Sequence, residues 1–158
     1  MVDVLDKQRA FRNALRSFAT GVTIATTLDA GGQPASSFNS VSLDPPLVLW
    51  SVAKANMSRA AFCDSGHFAV HVLAKDQADL SNRFAKSGGD KFAGLNWQKG
   101  AADSPLLAAY AALLQCRTRH QYDGGDHIIM VGEVLDFHVQ DRAPLLFHAG
   151  RYAALSAA

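Results

Sequence analysis

Cysteine, net charge and long apolar runs are all scarce in this chain of 158 residues, and each scarcity excludes something. The two cysteines, Cys63 and Cys116, stand far apart. They form no CxxC pair and no disulfide framework, and they suit a reducing cytoplasm. Fifteen Lys plus Arg against fourteen Asp plus Glu leave a net charge of +1. Nothing electrostatic therefore points to nucleic acid or an anionic membrane as a partner. The longest apolar run, Leu106 to Leu114, falls well short of the roughly 20 residues that cross a bilayer. The start, Met1-Val2-Asp3-Val4, has neither the basic nor the apolar block of a signal peptide. Also absent are GxGxxG and the P-loop pattern, so no Rossmann or Walker phosphate cradle is expected. HExxH and GxSxG are missing too, which removes the commonest zinc-protease and serine-hydrolase signatures.

What is present is a foldable composition. The hydrophobic fraction is 49% and the charged fraction 18%, which excludes a disordered chain. The length is a prior for one domain, residues 1–158, burying roughly 70% of the surface of its unfolded chain. Val4, Leu5, Gln8, Phe11, Leu15 and Phe18 recur at three and four, so an amphipathic helix capped by Asp3 and ended by Gly21 is predicted. Val22 to Leu28 is β-branched and Thr-rich and reads as a strand. Asp29-Ala30-Gly31-Gly32 is turn chemistry, followed by a second strand holding Ser36 to Ser42. Asp44-Pro45-Pro46 stops pairing, and Leu47 to Val52 reads as a strand buried on both faces.

Further along, Ser58 caps a short helix from Arg59 to Cys63, and His67 to Leu73 reads as a strand. Asp76 caps a helix through Phe84 that Gly88-Gly89 ends. Ser104-Pro105 followed by Leu106-Leu107 predicts a helix start, with Pro at the first helical position. Asp123-Gly124-Gly125 looks like a hairpin turn into a long strand from His127 to Val139, with Gly132 a bulge. Leu145 to His148 closes the strands before Gly150. Strands outnumber helices, so the expected class is mainly β, an antiparallel β-barrel, closed or partly closed, with peripheral helices.

Few residues carry chemistry on their own. His67 and His71 share one strand face, as metal ligands or as packed histidines, but no third ligand lies close in sequence. Ser36, Ser37, Asn39, Ser40 and Ser42 are either the outward polar row of a half-exposed strand or a surface of neutral donors for a polar heterocycle or phosphate. Gly125-Asp126-His127 is either a surface turn or a way of presenting a histidine. Arg83-Phe84, Asp90-Lys91-Phe92 and Arg151-Tyr152 each pair a cation with a ring, as solvated charges or as phosphate binders.

Taken in order, Phe18-Ala19-Thr20-Gly21-Val22-Thr23-Ile24, Ser37-Phe38-Asn39-Ser40-Val41-Ser42-Leu43-Asp44-Pro45-Pro46-Leu47-Val48, Arg83-Phe84-Ala85, Asp90-Lys91-Phe92, Gly125-Asp126-His127 and Gly150-Arg151-Tyr152 span nearly the whole chain. This set resembles the short-chain flavin reductases, the reductase components of two-component flavin monooxygenases. The resemblance implies an FMN-binding split β-barrel, Greek-key-like, acting as a cytoplasmic homodimer. It also implies a strand from about Ala111 to Tyr122, paired with His127 to Val139, where local propensity is ambiguous. Ser37, Phe38, Asn39, Ser40, Val41 and Ser42 would line the flavin, FMN or FAD, with Ser51, Val52 and Ala53 facing it. Ser58 would meet phosphate, and Arg83, Phe84, Lys91 and Phe92 would hold that end. His127, Arg151 and Tyr152 would face the nicotinamide of NADH or NADPH, with His127 orienting it. The implied activity is NAD(P)H:flavin reduction that supplies a separate flavin-dependent monooxygenase, with a non-catalytic flavin- or haem-binding split barrel as the alternative. The link from Pro34 to Ser37 is about four residues shorter than the family pattern and too short to match a strand from Val22 to Leu28, which implies either a shortened flavin-side strand or, as the favoured expectation, a missing mobile segment between Pro34 and Ala35.

Overall fold

The computed structural model describes residues 3–29 and 32–157. The chain begins with helix α1 (Val4–Leu15) and strands β1 (Thr20–Gly21), β2 (Thr23–Thr26), β3 (Gly32–Ala35), β4 (Asn39–Leu43) and β5 (Pro46–Ala53). Helix α2 (Arg59–Ser65), strand β6 (His67–Val72) and helix α3 (Ala78–Ala85) follow. The remainder is strand: β7 (Trp97–Lys99), β8 (Pro105–Leu107), β9 (Ala112–Gly124), β10 (His127–Val139), β11 (Leu146–His148) and β12 (Arg151–Ala153). Among the described residues no helix is long and apolar enough to cross a membrane.

Seven strands form one antiparallel sheet in the order β3-β2-β6-β9-β10-β5-β4, beside a three-stranded sheet β1-β11-β12 and the pair β7-β8. The large sheet does not close, and its two edges are β3 and β4. Yet only Ser36, Ser37 and Phe38 separate β3 from β4 in the chain. Laid flat, six strand spacings of about 4.8 Å would part the edges by about 29 Å. Four residue steps from Ala35 to Asn39 reach about 14 Å at most. The sheet must therefore curl until its edges nearly meet, which is a split barrel.

The inside of the curl is filled by Trp50, Phe62, Phe68, Val70 and Met130, with Trp50 edge-on to Phe62 at 4.8 Å. A second cluster of Ile24, Leu73, Phe84, Leu107 and Leu145 lies between the sheet and α3. The register of β10 on β9 shifts at Val131/Gly132, so Gly132 is at the expected irregularity. A Cβ there would overlap the Phe68 ring and lie 2.9 Å from Cys116 Cβ, so only glycine fits. Helix α1 is capped by the Asp3 side chain as expected, but none of its residues is buried.

Several expectations are corrected. The fold does not require the segment expected between Pro34 and Ala35: β2 and β3 pair in unbroken register, Ile24 with Pro34 and Thr23 with Ala35. The shortage of residues disappears because β2 spans only Thr23–Thr26 instead of running to Leu28. Of the turn expected at Asp29 to Gly32, residues 30 and 31 lie outside the described residues. The single strand expected over Ser36 to Ser42 is divided, since Ser36 to Phe38 cross from one sheet edge to the other.

Strand β5 buries Val48, Trp50 and Val52 on one face only and leaves Leu47, Leu49, Ser51 and Ala53 half-buried. Ser104-Pro105 starts no helix, because Leu106 and Leu107 serve two different clusters, and adjacent side chains reach opposite sides only in extended chain. Asp76 is no cap: it pairs with Arg142 at 2.6 Å, and Gln77 precedes α3 instead. That helix ends at Ala85, before the two glycines. The strand implied near Ala111 to Tyr122 is present as β9.

Candidate functional site

Beside the β3 edge opens a cleft of about 630 Å³. One wall is Gln33 and Pro34 of β3, another the turn Ala55 to Ser58 after β5, and the third runs from the end of α3 through Phe92. Its charged lining is Lys86, Lys91 and Asp90. Asp90 accepts from the Phe92 N–H at 3.0 Å and so closes its own turn. Lys91 Nζ donates to Phe84 O at 2.8 Å and Gly32 O at 3.3 Å, tying α3 to β3. A third N–H remains for the cleft. Burial lowers the pKa of this amine. Asn56 Oδ1 accepts from Ser58 N at 2.8 Å, while the Ser58 side chain makes no capping bond, which leaves its hydroxyl available.

A smaller slot of about 170 Å³ shares Pro34 and Ala85 with the cleft. It is lined by Val22, Ala35, Phe147 and Tyr152, with Ser36 and Ser81 as the polar members. The Tyr152 hydroxyl lies 2.9 Å from both Ser81 Oγ and Asn82 Oδ1, which fixes the ring. The pair of chambers therefore offers cations and hydroxyls at one end and a flat apolar slot at the other.

The structure distributes the sequence-derived residues unevenly. Ser58, Phe84, Lys91 and Phe92 line the cleft together, with Phe84 edge-on to Phe92 at 5.2 Å. Tyr152 lines the slot, and Arg151 is exposed on β12 opposite His148. Arg83 does not line either chamber; its guanidinium donates to Ala93 O at 2.9 Å. Ser37 Oγ accepts from Ser51 N at 2.9 Å and so pins the crossing between sheet edges to β5. Phe38 packs against the main core. Asn39, Ser40 and Val41 are exposed on the edge strand β4, with a register shift between Ser40 and Ser42. Val52 is fully buried in the core, main chain included, and lines neither chamber, whereas Ser51 and Ala53 are half-buried.

His127 stands opposite Ala53 in register, at the end of β5 that leads into the cleft wall. Its Nδ1 lies 2.7 Å from Asp126 Oδ1. A carboxylate only accepts, so Nδ1 carries a proton, and in the neutral ring Nε2 is the acceptor. The contact also holds the Asp126 carboxyl below its ordinary pKa. The turn is clipped down by Lys54 N to Asp126 O at 2.9 Å and by Lys54 Nζ to Asp123 Oδ1 at 2.6 Å.

His71 is committed elsewhere. Its Nδ1 bonds Ile24 O at 3.1 Å and its Nε2 accepts from Leu107 N at 3.0 Å, and burial pushes its pKa down to about 4. Among the described residues no three ligating side chains cluster to hold a metal ion. Gln33, Asn56 and Lys86 also line the cleft. Their local sequence does not mark them as neighbours, because the cleft is assembled from three separate stretches.

Comparison with known proteins follows the same lines. The model of the flavin reductase like domain family matches residues 15–156. The chain is 45% identical over 154 residues to the FMN reductase (NADH) SmoA of Agrobacterium fabrum, covering 96% of this chain and 88% of that one. It is 42% identical over 155 residues to the reductase component of the flavin-dependent trigonelline monooxygenase of Acinetobacter baylyi, of which it spans 50%. Among solved structures, the Streptomyces globisporus NADH:FAD oxidoreductase SgcE6 with NAD and FAD fragments superposes with a TM-score of 0.91 at 36% identity, covering 99% of this chain and 96% of that one.

Proposed function

The chain belongs to the flavin reductase like domain family, and on that premise we propose that it passes hydride from a reduced nicotinamide nucleotide to FMN or FAD, the reduced flavin then serving a separate flavin-dependent monooxygenase. The observation that carries this reading is the two-chamber site: a polar cleft with lysines and a free serine hydroxyl joined to an aromatic slot. The residues present fit a flavin nucleotide, since the cleft supplies the Lys86 and Lys91 cations and the Ser58 hydroxyl for a phosphate. When bound, flavin supplies the N5 acceptor for hydride from nicotinamide C4. The protein's part is to bind, orient and exclude water. Ser58 and the remaining N–H of Lys91 hold the phosphate, and Phe84 with Phe92 forms the apolar wall behind it. Ser37 to Ser42 face the ring, with Ser51 and Ala53 on β5 beside it and Val52 backing them from the core. Arg83 supports this site through the loop it holds. His127 Nε2 accepts from the nicotinamide carboxamide, with Arg151 and Tyr152 on the same side.

NADH is the proposed donor, because both SmoA and SgcE6 carry it in their names. The purified protein should oxidise NADH only when FMN or FAD is added. Flavin binding without any oxidation of NADH or NADPH would overturn the reading in favour of a non-catalytic flavin carrier.

The proposed working unit is a homodimer of a single-domain chain, residues 1–158. A helix of 12 residues is marginal alone in water, and α1 buries none of its own. Leu5, Phe11 and Leu15 of the helix and Phe18 just beyond it are exposed by 56% or more, and a second copy is the proposed cover. Sedimentation at micromolar concentration should show a dimer. The proposed compartment is the cytoplasm, consistent with Cys63 and Cys116 both being free thiols.

A further inference from the structure

The cleft is larger than the phosphate placed in it. None of the residues assigned to the flavin ring, Ser37 to Ser42, Ser51 and Ala53, lines it, so its volume of about 630 Å³ lies on the phosphate side of the site. At about 30 Å³ for each water it has room for about 20, several times what one phosphate group displaces.

The walls carry more than one phosphate needs. Ser58 and Lys91 suffice for the first. Lys86 also lines the cleft and makes no ion pair among the described residues. Between the two lysines, Gly88 and Gly89 take positive φ of 76° and 77°, which suits glycine, so this stretch of wall bears no side chain. On the facing wall Met57 is 90% exposed although it lines the cleft, and it directly precedes Ser58. Its turn is fixed by Asn56 N to Ala53 O at 3.0 Å, Arg59 N to Asn56 O at 3.1 Å and Ser58 N to Asn56 Oδ1 at 2.8 Å. The turn therefore presents an unpacked thioether, a group that makes favourable contacts with aromatic rings.

A second phosphate followed by a flat base would use the spare volume, the spare cation and the uncovered thioether together. In FAD that half is bonded to the flavin's own phosphate, so it continues into the cleft where that phosphate sits. The adenosine of a nicotinamide nucleotide has no such tether. We infer that the cleft binds the adenosine monophosphate half of FAD, with Lys86 at its phosphate and Met57 against the adenine, so that FAD is held more tightly than FMN. The assignment rests on the flavin reading.

The test is calorimetric titration of the purified protein with FAD and with FMN. The wild type should bind FAD at least about 10-fold more tightly than FMN. Met57→Ser should weaken FAD by about 3- to 10-fold and leave FMN unchanged, with no change in melting temperature, since the side chain packs against nothing. The KM for NADH with FMN as acceptor should also be unchanged. Equal affinities of the wild type for the two flavins, or a preference for FMN, overturn the assignment. So does an equal loss for FMN in Met57→Ser, and so does a loss confined to the KM for NADH, which would put the adenosine of the nicotinamide nucleotide on Met57. A wild type that binds neither flavin overturns the flavin reading itself.

Discussion

Acid should destabilise this protein through one buried side chain, His71. Its ring is fully buried and bridges three strands: β6 carries it, Ile24 O of β2 takes its Nδ1 proton, and Leu107 N of β8 donates to its Nε2. Protonating Nε2 would place a charge among apolar groups and break the bond from Leu107. Burial, the larger cause, therefore lowers the folded pKa from 6.5 to about 4, against a smaller opposing effect of the bond to Ile24. The unfolded chain takes up this proton below about 6.5, while the folded chain resists until about 4. The stabilisation is fully present above pH 6.5 and is lost as the pH falls through the window to 4. At 1.36 kcal/mol per pKa unit, the loss at the bottom of the window is about 3 kcal/mol, a large share of an ordinary stability of about 5–15 kcal/mol.

Carboxyls held below their usual range, at Asp123, Asp126 and Glu133, act in the same direction but lie at the exposed surface. A variant separates the two sources. His71→Gln keeps an acceptor for Leu107 N and does not titrate. Urea unfolding from pH 7 to pH 4 should show a steep fall for the wild type and a slope shallower by up to about 1.4 kcal/mol per pH unit for the variant. Parallel pH profiles for the two proteins would refute the reasoning.

Other perturbations have equally definite outcomes. Gly132→Ala drives a methyl into the Phe68 ring and should cost about 1–3 kcal/mol, lowering the melting temperature by several degrees, with partial recovery on adding Phe68→Leu. His127→Ala should slow flavin reduction in stopped-flow while sparing flavin affinity; weaker flavin binding at an unchanged rate would place the ring in the flavin site instead. Lys91→Met removes two bonds that tie β3 to α3 and the N–H left for phosphate. It should lower stability by about 1–3 kcal/mol in urea and weaken FMN more than riboflavin.

Much of the barrel was legible wherever local and global preferences agree. The strand from His127 to Val139 has the expected bounds, because a two-residue turn precedes it and a β-branched run fills it. Its bulge was legible from the one glycine in that run. Legibility failed where tertiary contacts override a local signature. Ser104-Pro105 carries good helix-start chemistry, and extended chain prevails because Leu106 and Leu107 each have a different cluster to fill. The link from Pro34 to Ser37 is short against the family pattern and against a strand running from Val22 to Leu28, but β2 ends at Thr26, so a short partner suffices. Of the site, the cationic and aromatic members carried recognisable patterns. Gln33 carried none, since a single polar residue in a four-residue edge strand has no periodicity to betray which way it faces.

The three-residue crossing from β3 to β4 works as a hoop rather than as a loop. Residues added between Ala35 and Asn39 would not bulge into solvent at no consequence; they would lengthen the circumference and let the seam widen. Gln33 and Pro34 stand at one lip of that seam and also form one wall of the cleft, so the connector that holds the seam shut also anchors that wall. In this chain the crossing is short and pinned by Ser37 to Ser51, which leaves β3 little freedom to move away from the body of the barrel.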